Sequence, residues 1–178
     1  IYEKVLGSEH PHTATSLSLL TETYNALTQH DKALPVQQRA LAIYEKVFGP
    51  EHPHTATSLS VLAATYSALA QHDKALPVQQ RALAIYEKVL GSEHPDTAMS
   101  MNNLALTFIA LAQHDKALPL MQRSLVIYEK VLGSEHTHTA RALNNRSATY
   151  RALAQHDKVL HFQQRALKKK KKVLGPDH

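Results

Sequence analysis

The chain has no cysteine among its 178 residues. That excludes disulfide staples and thiolate metal sites, and it suits a reducing, cytoplasmic compartment. No apolar run approaches the length that crosses a bilayer, and the N-terminus lacks a signal-peptide pattern, so no membrane association is expected. No stretch alternates apolar and polar residues with period two, so no strands are expected. Glycine is scarce, at five residues, and no glycine-rich phosphate loop exists. An excess of basic charge over the body of the chain is also missing. The net charge of +5 is carried by five consecutive lysines, Lys168 to Lys172; the rest of the chain is neutral, which argues against a nucleic-acid partner.

What the chain has is repetition. Residues 82–98, ALAIYEKVLGSEHPDTA, return almost unchanged every 42 residues. Tyr2, Tyr44, Tyr86 and Tyr128 share one register, and Gly7, Gly49, Gly91, Gly133 and Gly175 share another. A fixed period in the range of roughly 20–50 residues signals stacked supersecondary units. Gly tolerates the left-handed conformation that closes a helix, and the His-Pro that follows cannot continue it. The segment therefore reads as a helix end, a glycine stop, a short loop and a new helix. Four repeats result, at 8–49, 50–91, 92–133 and 134–175. Residues 1–7 read as the end of a preceding repeat helix and 176–178 as the start of another connection, which makes the chain a piece of a longer array.

Each repeat has two helical halves. Leu17, Leu20, Tyr24 and Leu27 form an apolar stripe in the first half. After the polar break Gln29-His30-Asp31-Lys32, with Asp31 as the expected N-cap, the second half carries Ala33, Leu34, Ala40, Leu41, Tyr44 and Val47 at helical spacing. Pro35 is expected in the first turn of that helix, where the missing donor costs least.

These residues resemble the tetratricopeptide repeat. The family pattern of apolar, small and aromatic positions falls on Leu17, Leu20, Thr21, Tyr24, Ala33, Gln37, Ala40 and Glu45, and six of the eight suit it. Gln37, Gln79 and Met121 replace the aromatic, and the closing proline is missing. The 42-residue period and the LGxEHPDTAxSxNNLA connection resemble the repeats of kinesin light chains and of arrays attached to nucleotide-binding signalling ATPases. The resemblance implies an all-α, right-handed solenoid of antiparallel helix pairs, with four repeats plus a partial N-terminal helix. It also implies a protein-interaction scaffold without cofactor or enzymatic activity.

Comparing the chain with itself locates the candidate site. The first two repeats agree at 35 of 42 positions. The differences among repeats gather in the first helix, in the columns Thr15/Thr57/Met99/Arg141, Ser18/Ser60/Asn102/Asn144, Leu19/Val61/Asn103/Asn145, Glu22/Ala64/Leu106/Ala148 and Asn25/Ser67/Ile109/Arg151. Steps of three and four place these columns on one helix face, distinct from the Leu/Tyr stripe. Exposed second-helix residues such as Gln38, Arg39, Glu45 and Lys46 repeat unchanged in repeats two and three, which argues against drift. The resemblance assigns the variable face to the inner, concave groove, where a peptide or helix of a partner lies. The expected groove residues are Met99, Asn102, Asn103, Leu106, Ile109, Arg141, Asn144, Asn145 and Arg151. An Asn amide both donates and accepts, which suits peptide backbone, and the Arg forks suit carboxylates. By resemblance, Asn103 and Asn145 hold the backbone. An acidic-apolar peptide is the expected partner; the alternative is a structural spacer or oligomerisation segment of a larger multidomain protein, stacking end to end.

Other chemistry finds little support. His10 and His12, His52 and His54, and His136 and His138 form His-x-His pairs, but no third ligand sits at tight spacing, so no metal is expected. Ser, His and Asp occur only as copies in repeat register, so no catalytic residue is expected. Repeat four departs most: Arg146 replaces the core leucine, His161 the proline, and Lys169 and Lys170 an Ile and a Tyr. Such an end fits a polar terminal cap and is expected to fray.

Overall fold

The computed structural model describes residues 7–152 and 161–168, and among these no strand occurs. Helices α1 (Pro11–Ala26) and α2 (His30–Phe48) are followed by α3 (Pro53–Ala68) and α4 (His72–Leu90). Then come α5 (Pro95–Ala110), α6 (His114–Val131) and α7 (Thr137–Ala152), with residues 161–168 forming α8. The chain divides into two compact units, Ile1–Val89 and Leu90–His178. In the first, α2 packs against both α1 and α3; in the second, α6 packs against both α5 and α7.

The first helix of each repeat starts on a histidine. His10, His52 and His94 are N-caps whose Nδ1 accepts the backbone N–H two residues on, at 3.1–3.2 Å, and Pro11, Pro53 and Pro95 open the helices. This satisfies one orphan donor at each helix start, so the loop histidines have a structural task that spacing alone did not disclose. Just upstream, Gly49, Gly91 and Gly133 take φ of 93°, 88° and 86°. Their carbonyls accept from the hydroxyls of the buried Thr55, Thr97 and Thr139, each at 2.8 Å. Gly and Thr together clip each helix entry shut.

The second helices start differently from expectation. Gln29 is the N-cap of α2 and makes no side-chain cap bond; Asp31 lies inside the first turn, where its charge still complements the helix dipole. Pro35, Pro77 and Pro119 each sit six residues into their helix. All three are exposed, so the carbonyl that each proline frees faces solvent and the helix runs on. The turn between helices uses Thr28, Ala70 and Ala112 at φ of 56–57°, the left-handed region that costs a residue with a Cβ.

The core is built on small residues. Ala14, Ala33, Ala40, Ala56, Ala75, Ala98 and Ala117 are wholly buried, which lets the helices approach closely, and Leu59, Met101, Ile127 and Leu143 fill the spaces between. The stripe read from α1 is only partly core: Leu20 is 40% exposed whereas Leu62, its copy on α3, is 5% exposed. Val47 is exposed as well. Gln37 replaces the family aromatic for a reason now visible. It is buried, and its Nε2 donates to Ser58 O at 2.8 Å and contacts Ser58 Oγ at 3.0 Å, so a polar clasp takes the place of ring packing. Arg146 does not simply cost stability either. Its guanidinium lies 4.4 Å from the Phe162 ring centroid and 5.6 Å from that of Tyr150, and the two rings stack at 5.6 Å. The positions Lys169 to Lys172 fall outside the described residues.

Candidate functional site

The variable columns of repeats three and four come together in the second compact unit. On α5, Met99, Asn103 and Ile109 are half-buried, and Leu106 is 41% exposed. On α7, Arg141, Asn144 and Arg151 are exposed, and Asn145 is half-buried. Asn102 differs from expectation in its burial: it is 3% exposed, and its Oδ1 accepts from Asn145 Nδ2 at 3.5 Å. That bond joins α5 to α7 and brings the two columns side by side. One amide hydrogen of Asn145 is thereby committed to a tie within the chain. On these two helices Leu106, Asn144, Arg141 and Arg151 are exposed, and Asn103 is half-buried.

The constancy of the second helices proves to be structural. Gln38 Nε2 donates to Tyr66 Oη at 3.0 Å. Glu45 pairs with Arg81 and Lys46 with Glu9, both at 2.5 Å. Lys88 pairs with Glu51, and Lys130 with Glu93 at 3.0 Å. Exposed pairs of this kind are each worth under about 1 kcal/mol. They still occupy the side chains whose sameness looked like a control for drift, so that sameness says nothing about the variable face.

A second feature was not read from the sequence. Tyr44 Oη meets Thr15 Oγ1 at 3.3 Å, and Tyr86 Oη meets Thr57 Oγ1 at 3.1 Å. In the third copy Met99 stands in place of the threonine. Tyr128 is 2% exposed, and its hydroxyl has no hydrogen-bond partner among the described residues. Beside it lies a cavity of about 260 Å³ whose walls include Asp96, Met99, Tyr128, Leu132, His136 and His138. The His138 ring stacks on Tyr128 at 5.7 Å and meets Arg141 Nη2 through Nδ1 at 3.1 Å. Burial, reinforced by Arg141 and His136 against the pull of Asp96, holds the His138 imidazole below its ordinary value. Burial likewise pushes the Tyr128 phenol up to about 12, against the pull of Arg141. The signal for this cleft was present as the Thr15/Thr57/Met99 column, but the tyrosine facing it is not adjacent in sequence.

Among the described residues no group of three or more His, Asp or Glu side chains is placed to hold a metal ion. No described helix is long and apolar enough to cross a membrane.

Paired helices of this length, clipped at Gly and Thr and packed on alanines, define a helical repeat array. The tetratricopeptide repeat pattern matches residues 1–46, 22–88, 68–125 and 108–172, and the chain belongs to the tetratricopeptide repeat family, in its kinesin-light-chain-like form. Repeat arrays of this family generally mediate protein–protein interaction and are generally not enzymes. No curated protein sequence matches the chain. Among solved structures it is similar to a Podosopora anserina protein described as a kinesin light chain with nearly identical TPR-like repeats. The TM-score is 0.80 at 29% identity, over 96% of this chain and 81% of that one. BtubC (BKLC) from P. vanneervenii shares the fold at a TM-score of 0.82 and 21% identity, over 94% of this chain and 66% of that one. A Rap protein complexed with Competence and Sporulation Factor does so at 0.79 and 18%, over 93% of this chain and 44% of that one.

Proposed function

We propose that the chain is a protein-interaction scaffold that holds an extended peptide or a helix of a partner on the face shared by α5 and α7. The observation that carries this reading is the Asn102–Asn145 bond, which sets the two variable columns against each other. Leu106 supplies an apolar anchor, Asn103 and the remaining amide atoms of Asn145 meet peptide backbone, and Arg141 and Arg151 meet carboxylates, so an acidic-apolar sequence fits best. The Rap protein of the same fold was solved with Competence and Sporulation Factor, an array of this architecture with a partner bound. The partner is a protein, with neither nucleic acid nor membrane involved, and the setting is cytoplasmic.

Titrating acidic-apolar peptides against the wild type and the Asn103→Ala/Asn145→Ala double variant tests the reading. A loss of about tenfold in affinity is expected, from two hydrogen bonds of ordinary strength. Unchanged affinity would remove this face from the argument. Raising salt should weaken binding only modestly, because Arg141 and Arg151 are exposed and exposed pairs are weak.

One observation favours a second reading, end-to-end self-association: Leu19 and Leu20 on α1 and Leu27 at its C-cap are exposed. Light scattering across concentrations separates the two, since a strict monomer at high concentration excludes stacking.

A further inference from the structure

The cavity beside Tyr128 is lined by the counterparts of a ring cluster that is complete elsewhere in the chain. In the complete cluster Phe48, the last residue of α2, packs on three rings: His52 at 4.7 Å between centroids, His54 at 5.3 Å and Tyr44 at 6.1 Å. Aromatic pairs at such separations attract beyond the area that they bury. Two 42-residue periods further on, the same positions hold Leu132, His136, His138 and Tyr128, and all four wall the cavity. The partner rings are set alike in both places. Tyr44 and His54 lie 6.0 Å apart and Tyr128 and His138 5.7 Å; His52 and His54 lie 5.1 Å apart and His136 and His138 5.2 Å. The backbone agrees as well, with Gly49 and Gly133 at φ of 93° and 86°, each clipped by a threonine hydroxyl at 2.8 Å. What differs is the fourth ring, because Leu132 stands in the place of Phe48. The middle copy has Asp96 at the position of His54 and His138 and so lacks a second ring as well.

At about 260 Å³ the cavity has room for a benzene ring, which apolar cavities of about 150 Å³ take up. Tyr128 is nearly closed off, so an entering group meets the half-buried Leu132, His136, His138 and Met99 of the walls. Met99, which replaces Thr15 of the complete cluster, is a thioether and packs favourably against rings. A charged group would give up its hydration to walls made largely of rings and aliphatic chains. An aliphatic chain would fill space without the ring–ring attraction that Phe48 makes. The cavity also adjoins the face of α5 and α7: Met99 belongs to both, and Arg141 Nη2 meets His138 Nδ1 at 3.1 Å.

We propose that this cavity seats the phenyl ring of a phenylalanine side chain from the partner protein, in the role that Phe48 plays in the complete cluster. The inference rests on the reading of the chain as a protein-interaction scaffold. It adds an aromatic anchor that the Asn and Arg columns do not supply.

The test is a titration of the intact chain with three small probes, followed by NMR at the Leu132 methyls and the His138 ring. The probes are N-acetylphenylalanine N-methylamide, N-acetylcyclohexylalanine N-methylamide and N-acetylalanine N-methylamide. The phenylalanine probe is expected to give saturable shifts and the alanine probe none. The cyclohexylalanine probe, with a ring that cannot stack, should bind at least about threefold more weakly, the worth of one aromatic pair. Leu132→Phe fills the cavity from within, as Phe48 does, and should abolish the shifts at the His138 ring. His138→Asp installs the residue of the middle copy and should weaken the phenylalanine probe roughly threefold. It leaves Leu132 intact and decides the matter should Leu132→Phe disturb the fold. Absence of saturable shifts, equal response to all three probes, or unchanged binding in both variants would overturn the proposal. Peptides that depend on Asn103 and Asn145 while the phenylalanine probe stays silent would leave the scaffold reading standing and remove the ring site. A phenylalanine probe that binds while peptides ignore Asn103 and Asn145 supports the ring site and removes the Asn face.

Discussion

Repeats two and three are built on one frame and part company at a contact inside it. Both start the first helix on a histidine Nδ1, both close it with a Gly–Thr clip, and both bury the same leucine, Leu62 or Leu104, to 5% exposure. Yet Thr57 satisfies Tyr86, while Met99 leaves the Tyr128 hydroxyl without a partner among the described residues. In a chain made of copies, the frame holds the helices in place and the departures from it carry the chemistry. A buried residue that changes against a constant neighbour is therefore more informative than an exposed residue that varies alone.

The frame can be broken first. Leu62→Ala and Leu104→Ala should each cost about 2–4 kcal/mol, measured by denaturant unfolding or by hydrogen exchange of the helix concerned. The two losses should agree within about 1 kcal/mol; a larger gap would mean that the repeats are not equivalent in their cores. Next come the exchanges at the differing contact. Thr57→Met strands the Tyr86 hydroxyl and should cost about 1–3 kcal/mol. Met99→Thr supplies the missing partner and should add about 0.5–1.5 kcal/mol. If both swaps prove neutral, the hydroxyl pairing is not what distinguishes the repeats. Smaller still, Ala70→Gly and Ala112→Gly relieve equal left-handed strain at φ 57° and should stabilise by up to about 1 kcal/mol each. Unequal gains would show that the turns differ.

The finest difference is a proton. His138 has no counterpart pairing in repeat two, where Thr57 stands at the position of Arg141. Its folded-state affinity for a proton lies below the ordinary 6.5, through burial first and then Arg141 and His136. The unfolded chain therefore binds this proton more readily than the folded one. Stability from this group is complete above about pH 6.5 and declines as the pH falls below it. Arg141→Gln should shallow that decline, read from melting temperatures across pH 5–7. An unaltered pH profile would show that Arg141 does not act on His138.

Much of the fold was legible because periodicity survives copying. The 42-residue return, the glycine register and the helical spacing of Ala33, Ala40 and Tyr44 sufficed for helix pairs. Burial was less legible, because it belongs to neighbours rather than to residues. Leu20 and Leu62 sit in nearly identical segments, but Leu20 on α1 is 40% exposed and Leu62 on α3 only 5%. The caps were illegible for another reason. Asp31 looked like the better N-cap by propensity, whereas the structure uses an imidazole at one helix start and no side chain at the other. At the candidate site, the α5 and α7 columns were visible as variation. The Asn102–Asn145 tie and the Tyr128 cleft depend on residues 43 and 29 positions apart, and no local pattern joins them.

The histidine caps give the array a shared chemical dependence. An Asp or Ser cap keeps its acceptor across the physiological range, but an imidazole keeps Nδ1 as an acceptor only while it lacks its second proton. His10, His52, His94 and His136 all bond the backbone this way. Whatever takes up the Nδ1 lone pair removes that bond and leaves the backbone donor at the helix start without its partner. Since every repeat enters its first helix through the same atom, an agent that engages imidazole Nδ1 acts on all four entries through one kind of event. The copying that made the frame uniform also gave it a single point of chemical failure, present four times.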